Sequence, residues 1–98
     1  MQRGKEVGNL IICQVVGHVW ATKKEERLNG CKLMIVRETV TDPVNGPVFV
    51  AADSVGAGIG EQVLVVSGSS ARLAMGADHV PVDSAIVGII DSLEMEEG

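Results

Sequence analysis

Three sets of residues in this chain have the types and spacing to do chemistry. The first is Gly56-x-Gly58-x-Gly60, entered from Val50-Ala51-Ala52 through Asp53-Ser54-Val55 and left through Glu61 into Gln62-Val63-Leu64-Val65-Val66. Glycines spaced this way let backbone amides converge on a phosphate. The second is Ser69-Ser70 with His79 as a base and Asp53, Asp78 or Asp83 as its partner. That set would make a small serine hydrolase. The third is Cys13, Cys31, His18 and His79, the residue types that bind zinc.

Each set has a plainer reading. The glycine loop is not GxGxxG, because position 61 is Glu, and the run after it reads as strand rather than helix. It also lacks the lysine of a phosphate-binding loop. Residues 55–61 (Val55, Gly56, Ala57, Gly58, Ile59, Gly60 and Glu61) are therefore expected to form a structural or subunit-interface loop. Its glycines would permit close backbone approach between copies. Ser69 and Ser70 precede Ala71-Arg72-Leu73-Ala74-Met75, good helix formers stopped by Gly76, so a serine cap is the simplest role for them. No GxSxG elbow surrounds them. The cysteines form no CxxC pair and lie 18 positions apart, so the chain is expected to carry no metal and no cofactor. Cys13 sits in an apolar run, where a free thiol packs as a small hydrophobe.

The elements that position these residues are mostly strands. Val and Ile dominate the apolar residues, and glycines break the chain into short segments. Strands are expected over residues 9–22, 32–40, 48–52, 62–66 and 85–90. The first carries Gly17 in its interior, a signal for a bulge, and strand spacing places Gln14, His18 and Thr22 on one face. The second is apolar almost throughout, as expected of a strand buried on both faces. Asn29-Gly30 and the Pro-containing segment 41–47 mark turns. Five strands and one short late helix predict an all-β fold, a five-stranded OB-like β-barrel with one short helix, ahead of a small sandwich. Residues 1–8 read as a polar lead-in, 9–93 as one barrel domain and 94–98 as an acidic tail.

Charge narrows the function further. Over 98 residues the net charge is −5, and the chain has one Trp, one Phe and no Tyr. A single-strand-binding barrel needs a basic groove and stacking aromatics, so an OB-type nucleic-acid module is disfavoured. Residues 1–37 hold seven basic and three acidic residues, a net +4, while residues 38–98 hold Arg72 against ten acids, a net −9. Such a split suits head-to-tail association of copies and equally suits solvated surface. Arg72 falls in the first turn of the expected helix, where a cation is disfavoured, so a carboxylate partner in the chain or on a neighbour is expected. No apolar run is long enough to span a bilayer and the start resembles no secretion signal, so no membrane partner and a cytoplasmic location are expected.

Several motifs, in order, resemble the EutN/CcmL family of bacterial microcompartment shell vertex proteins. They are Gly17-His18-Val19-Trp20-Ala21-Thr22-Lys23; Leu28-Asn29-Gly30-Cys31-Lys32-Leu33; Ala51-Ala52-Asp53-Ser54-Val55-Gly56-Ala57-Gly58-Ile59-Gly60-Glu61; Val65-Val66-Ser67-Gly68-Ser69-Ser70-Ala71-Arg72; and Pro81-Val82-Asp83-Ser84-Ala85-Ile86-Val87-Gly88-Ile89-Ile90-Asp91. Trp20 is bulkier than the small aliphatic expected there. The resemblance implies an OB-like barrel in a homopentamer that caps the five-fold corners of a shell tiled by hexameric shell proteins, with no catalysis of its own. On that reading residues 55–61, Ser69, Ser70 and Arg72 belong to the subunit interface or pore loop. The hydrolase using Ser69 or Ser70 with His79 and the OB-type binding module stand as the alternatives.

Overall fold

A computed structural model describes residues 10–21, 26–28, 30–76 and 82–92. The expected lead-in 1–8 and tail 94–98 lie outside the described residues, as do Thr22, Asn29 and His79.

Five strands and one helix follow in chain order: β1 (Ile11–His18), β2 (Lys32–Glu38), β3 (Val48–Asp53), β4 (Gln62–Ser67), α1 (Ser69–Ala74) and β5 (Ser84–Ile89), with a short 3-10 turn at Glu26–Leu28. They close into a barrel in the order β1-β2-β3-β5-β4. The all-β, OB-like expectation holds. Every ladder is antiparallel except β3 with β5, which is parallel and consists of two pairs, Ala52 with Ala85 and Asp53 with Ile86. Residues 48–51 of β3 thus pair with β2 alone.

Strand alternation builds the core. Cys13 and Val15 of β1, Met34 and Val36 of β2, Ala51 of β3, Val63 and Val65 of β4 and Ile86 of β5 point inward and are buried. Each Val or Ile removed from water contributes about 1.5–3 kcal/mol, so these few small side chains carry most of the barrel's stability. A second cluster lies outside the barrel wall, where Val66 and Ala85 pack under Ala71 of α1.

Two local expectations change. β1 shifts register between Val15 and Gly17: Val15 lies opposite Val36, but Gly17 lies opposite Ile35 and His18 opposite Met34. The bulge at Val16 reverses the alternation, so His18 shares the side of the buried Met34 rather than the face of Gln14. In β2 the apolar run is not buried on both faces. Met34 and Val36 are buried, whereas Leu33 and Ile35 are half-buried on the outer face.

The connection from β2 to β3 folds tightly on itself. The Asp42 side chain accepts the Val44 and Asn45 amides at 3.1 and 2.9 Å, and the Gly46 amide donates to the Asp42 carbonyl at 2.9 Å. A Cβ at Gly46 would stand 1.9 Å from the Glu38 carbonyl oxygen, so only glycine fits.

Candidate functional site

The glycine loop is built around the carboxylate of Asp53. That side chain is fully buried at the end of β3. Its Oδ1 accepts the amides of Val55 and Gly56 at 2.9 and 3.0 Å, and its Oδ2 accepts the amide of Ala57 at 2.8 Å. Successive amides aimed at one anion make a nest of the kind that binds phosphate elsewhere. Here the anion is the chain's own carboxylate. An external phosphate would have to displace it, so the loop has no free cradle to offer.

Two further contacts set the shape. Lys32 Nζ lies 3.7 Å from Asp53 Oδ2 and donates to the Ala57 carbonyl at 3.4 Å. Its side chain is half-exposed, so the ion pair adds little beside the three amide bonds. Glu61 Oε1 accepts the Gly58 amide at 2.7 Å. The loop then runs onto β1: the Gly60 amide donates to the Val15 carbonyl at 2.8 Å and the Val15 amide to the Glu61 carbonyl at 3.0 Å. Ala57, wholly buried, drops into the barrel core as a plug. Residues 55–61 therefore close one end of the barrel, while Val55 and Ile59 stay 41% and 59% exposed.

The glycines do different things. Gly56 and Gly60 take φ of +84° and +95°, which other residues adopt at a cost, and a Cβ on either would meet nothing within 4 Å. Within one chain their use is conformational. Gly58 has neither a positive φ nor a crowded Cβ, since its nearest neighbour would be Glu61 Oε1 at 3.6 Å. Nothing in the single chain requires glycine at 58.

The serines are not caps. Ser69 and Ser70 are the first two residues of α1, and the N-cap is Gly68 at φ 69°, with no side-chain cap bond. A serine at that φ would be strained, which is why glycine took the position. Ser69 is exposed and Ser70 half-buried, and the proposed base His79 lies outside the described residues. Arg72 lies in the last turn of this six-residue helix, not the first, so the helix dipole favours its charge. Its carboxylate partner is in the chain: Nη1 lies 3.2 Å from Asp83 Oδ1 and also donates to the Val82 carbonyl at 3.2 Å. The Asp83 side chain is 92% exposed, so in the isolated chain the pair is weak.

No group of three His, Cys, Asp or Glu able to hold a metal occurs among the described residues. Cys13 and Cys31 are free thiols. Burial pushes the Cys13 thiol up to about 11, with the facing Glu38 carboxylate adding to the effect. That thiol is a core residue and a poor nucleophile. His18 stacks on Trp20 with ring centroids 5.5 Å apart, and Trp20 is 87% exposed. Among the described residues no helix is long and apolar enough to cross a membrane.

Sequence reasoning missed two features. Asp53 was weighed as a partner for a catalytic histidine, yet it anchors the loop. The signal was present, because an aspartate followed by small residues two to four positions on is a side-chain-to-backbone turn. The outward Val48 and Val50, about half-exposed, carried no signal, because alternation alone does not say which face lacks cover.

Comparison with known proteins extends the geometry. The family described as ethanolamine utilisation protein EutN/carboxysome matches residues 10–91. The bacterial microcompartment shell vertex protein GrpN of Rhodospirillum rubrum is 45% identical over 82 residues, covering 83% of this chain and 92% of GrpN. The structure of CcmL from Gloeobacter violaceus superposes with a TM-score of 0.80 at 36% identity, covering 88% of this chain and 90% of CcmL. The structure of GrpN, a pentameric microcompartment shell protein, superposes with a TM-score of 0.77 at 40% identity, covering 89% of this chain and 99% of GrpN.

Proposed function

The chain belongs to the EutN/CcmL family, and we propose that it is a structural subunit whose homopentamer closes the five-fold vertices of a bacterial microcompartment shell in the cytoplasm. One observation carries this reading: the barrel matches a pentameric shell protein over 99% of that protein's length. The chemistry agrees. The glycine loop's converging amides are filled by the chain's own Asp53, and the serines are built into a helix. The relatives named above are shell vertex proteins, which supports a structural rather than an enzymatic role.

A cyclic ring uses heterologous contacts, so one surface of each copy meets a different surface of the next. We assign residues 55–61 to that contact or to the pore, together with Ser69, Ser70 and Arg72. The exposure of Val55 and Ile59 supports the loop, since apolar side chains left in water gain most from being covered. Gly58 itself carries no side chain and needs none for the fold of the single chain, which suits close approach of a second backbone at that position. Hexameric shell proteins are the partners that a five-fold corner piece would meet around its rim.

Native mass spectrometry of the full chain tests the reading. A discrete pentamer is expected. A stable monomer at micromolar concentration would overturn it.

A further inference from the structure

We propose that the ring contact joins the open edge of β3 on one copy to the β1 side of the next. The proposal rests on the pentameric reading above and names the two surfaces that it needs.

The first surface is the seam where the barrel closes with least. β3 and β5 share two residue pairs, so residues 48–50, ahead of that ladder, present a backbone edge unpaired by β5. An open strand edge is a template for another chain, and proteins usually blunt it with charge, proline or cover. Residues 48–50 carry neither charge nor proline, and among the described residues only β2 pairs with them. Instead Val48 and Val50 are 49% and 48% exposed. Beside Val50 lies a cleft of about 180 Å³ lined by Leu28, Leu33, Val50, Ala52 and Val82, with Asp83 and Ser84 as its polar wall. Leu33 and Ile35, half-buried, continue the apolar surface across β2. Scattered apolar residues are ordinary on a surface, but a strand edge, two valines and an adjoining, mostly apolar cleft form one continuous feature.

The second surface lies across the barrel. In the order β1-β2-β3-β5-β4, the strand farthest from the β3–β5 seam is β1. There the bulge pushes Val16 outward, 37% exposed, and the bonds between Gly60 and Val15 bring the neighbouring Ile59, 59% exposed, to the same side. A heterologous ring needs two complementary surfaces on different sides of each subunit, and these are two apolar ones so placed. The occupant of the β3 edge is therefore a second copy of this chain.

Two charged substitutions test the pairing, Val50→Glu on the edge and Ile59→Glu on the far side. Both positions are exposed in the single chain, so each variant is expected to keep the circular dichroism spectrum of the barrel. Each alone is expected to lose the pentamer peak in native mass spectrometry. Mixed in equal amounts, they keep one intact edge and one intact far side between them, and are expected to give a one-to-one heterodimer that grows no further. If Val50→Glu does not fold, Val48→Glu carries the same test. A pentamer that survives either substitution overturns the proposal, and so does a mixture that stays monomeric. If the unmodified chain is itself no pentamer, the functional reading fails first; a pentameric parent with pentameric variants sinks the surface assignment alone.

Discussion

The Asp53 carboxylate accepts the Ala57 amide at 2.8 Å, and this bond turns a potential anion site into a plug. Ala57 is carried into the core by the loop that the carboxylate holds. The feature that looked most like a ligand site is thus a closure of the barrel. Removing the carboxylate should cost stability and should not open a phosphate site.

Replacing Asp53 by Ala leaves the buried Ala57 amide and the part-buried Val55 and Gly56 amides without their acceptor. Each buried unsatisfied donor costs about 1–3 kcal/mol, and water entering the vacated space recovers part of that. We expect a loss of roughly 3 kcal/mol or more, read as a lower melting temperature at fixed protein concentration. Asp53→Asn keeps one acceptor oxygen and should fall between the two. If Asp53→Ala melts with the parent protein, the carboxylate does not hold the loop.

Gly46→Ala places a methyl group where the Glu38 carbonyl oxygen would be 1.9 Å away. The strand end or the turn has to move, at a cost on the order of 1–3 kcal/mol. A chemical denaturation midpoint equal to that of the parent would show that the turn has room the structure lacks.

Gly58→Ala separates the two uses of the loop glycines. In the single chain its new methyl meets only ordinary contact, and its backbone is not in the left-handed region. Barrel stability should change by less than about 0.5 kcal/mol. The pentamer should weaken if another copy approaches position 58, measured as subunit dissociation on dilution. Gly56→Ala should instead lower barrel stability by about 1–2 kcal/mol, because its φ is +84°.

Arg72→Ala removes a pair whose acid is 92% exposed. Its effect on the melting of the barrel should be small, about 0.5 kcal/mol or less. A clear loss of pentamer with little change in barrel stability would place Arg72 in the contact, and an unchanged pentamer would remove it.

The Cys13 thiol gives a pH dependence with a definite sign. Its folded value of about 11 lies above the ordinary 9.0, so the folded state holds the proton more tightly. The resulting stability is complete below pH 9 and is lost as the pH rises from 9 towards 11. The full loss is about 3 kcal/mol by the usual conversion. Cys13→Ala should show a shallower alkaline decline than the parent in parallel denaturation curves. A thiol reagent at neutral pH should modify the half-buried Cys31 well before Cys13.

Much of the architecture was legible because strand alternation and glycine punctuation are local signals. The strands at Lys32–Glu38 and Gln62–Ser67 follow directly from them. The bulge was signalled by Gly17, but its consequence for His18 was not, because one extra residue reverses which side every later residue faces. The cap at Gly68 was misread because serines flank it, and residue type does not reveal the φ of 69° that excludes them. The role of Asp53 depends on a loop returning over a barrel end, a tertiary fact. The open edge of β3 was not legible at all, since strand order in a barrel is fixed by contacts between residues far apart in the chain.

The seam between β3 and β5 also sets how the molecule breathes. Two ladder pairs hold it, against six between β2 and β3. Local opening follows the line of fewest shared bonds, so amides along that line should exchange with deuterium first in an isolated subunit. If a neighbour seals the line, their exchange slows when the ring forms, and a corner piece becomes rigid only after it has been placed.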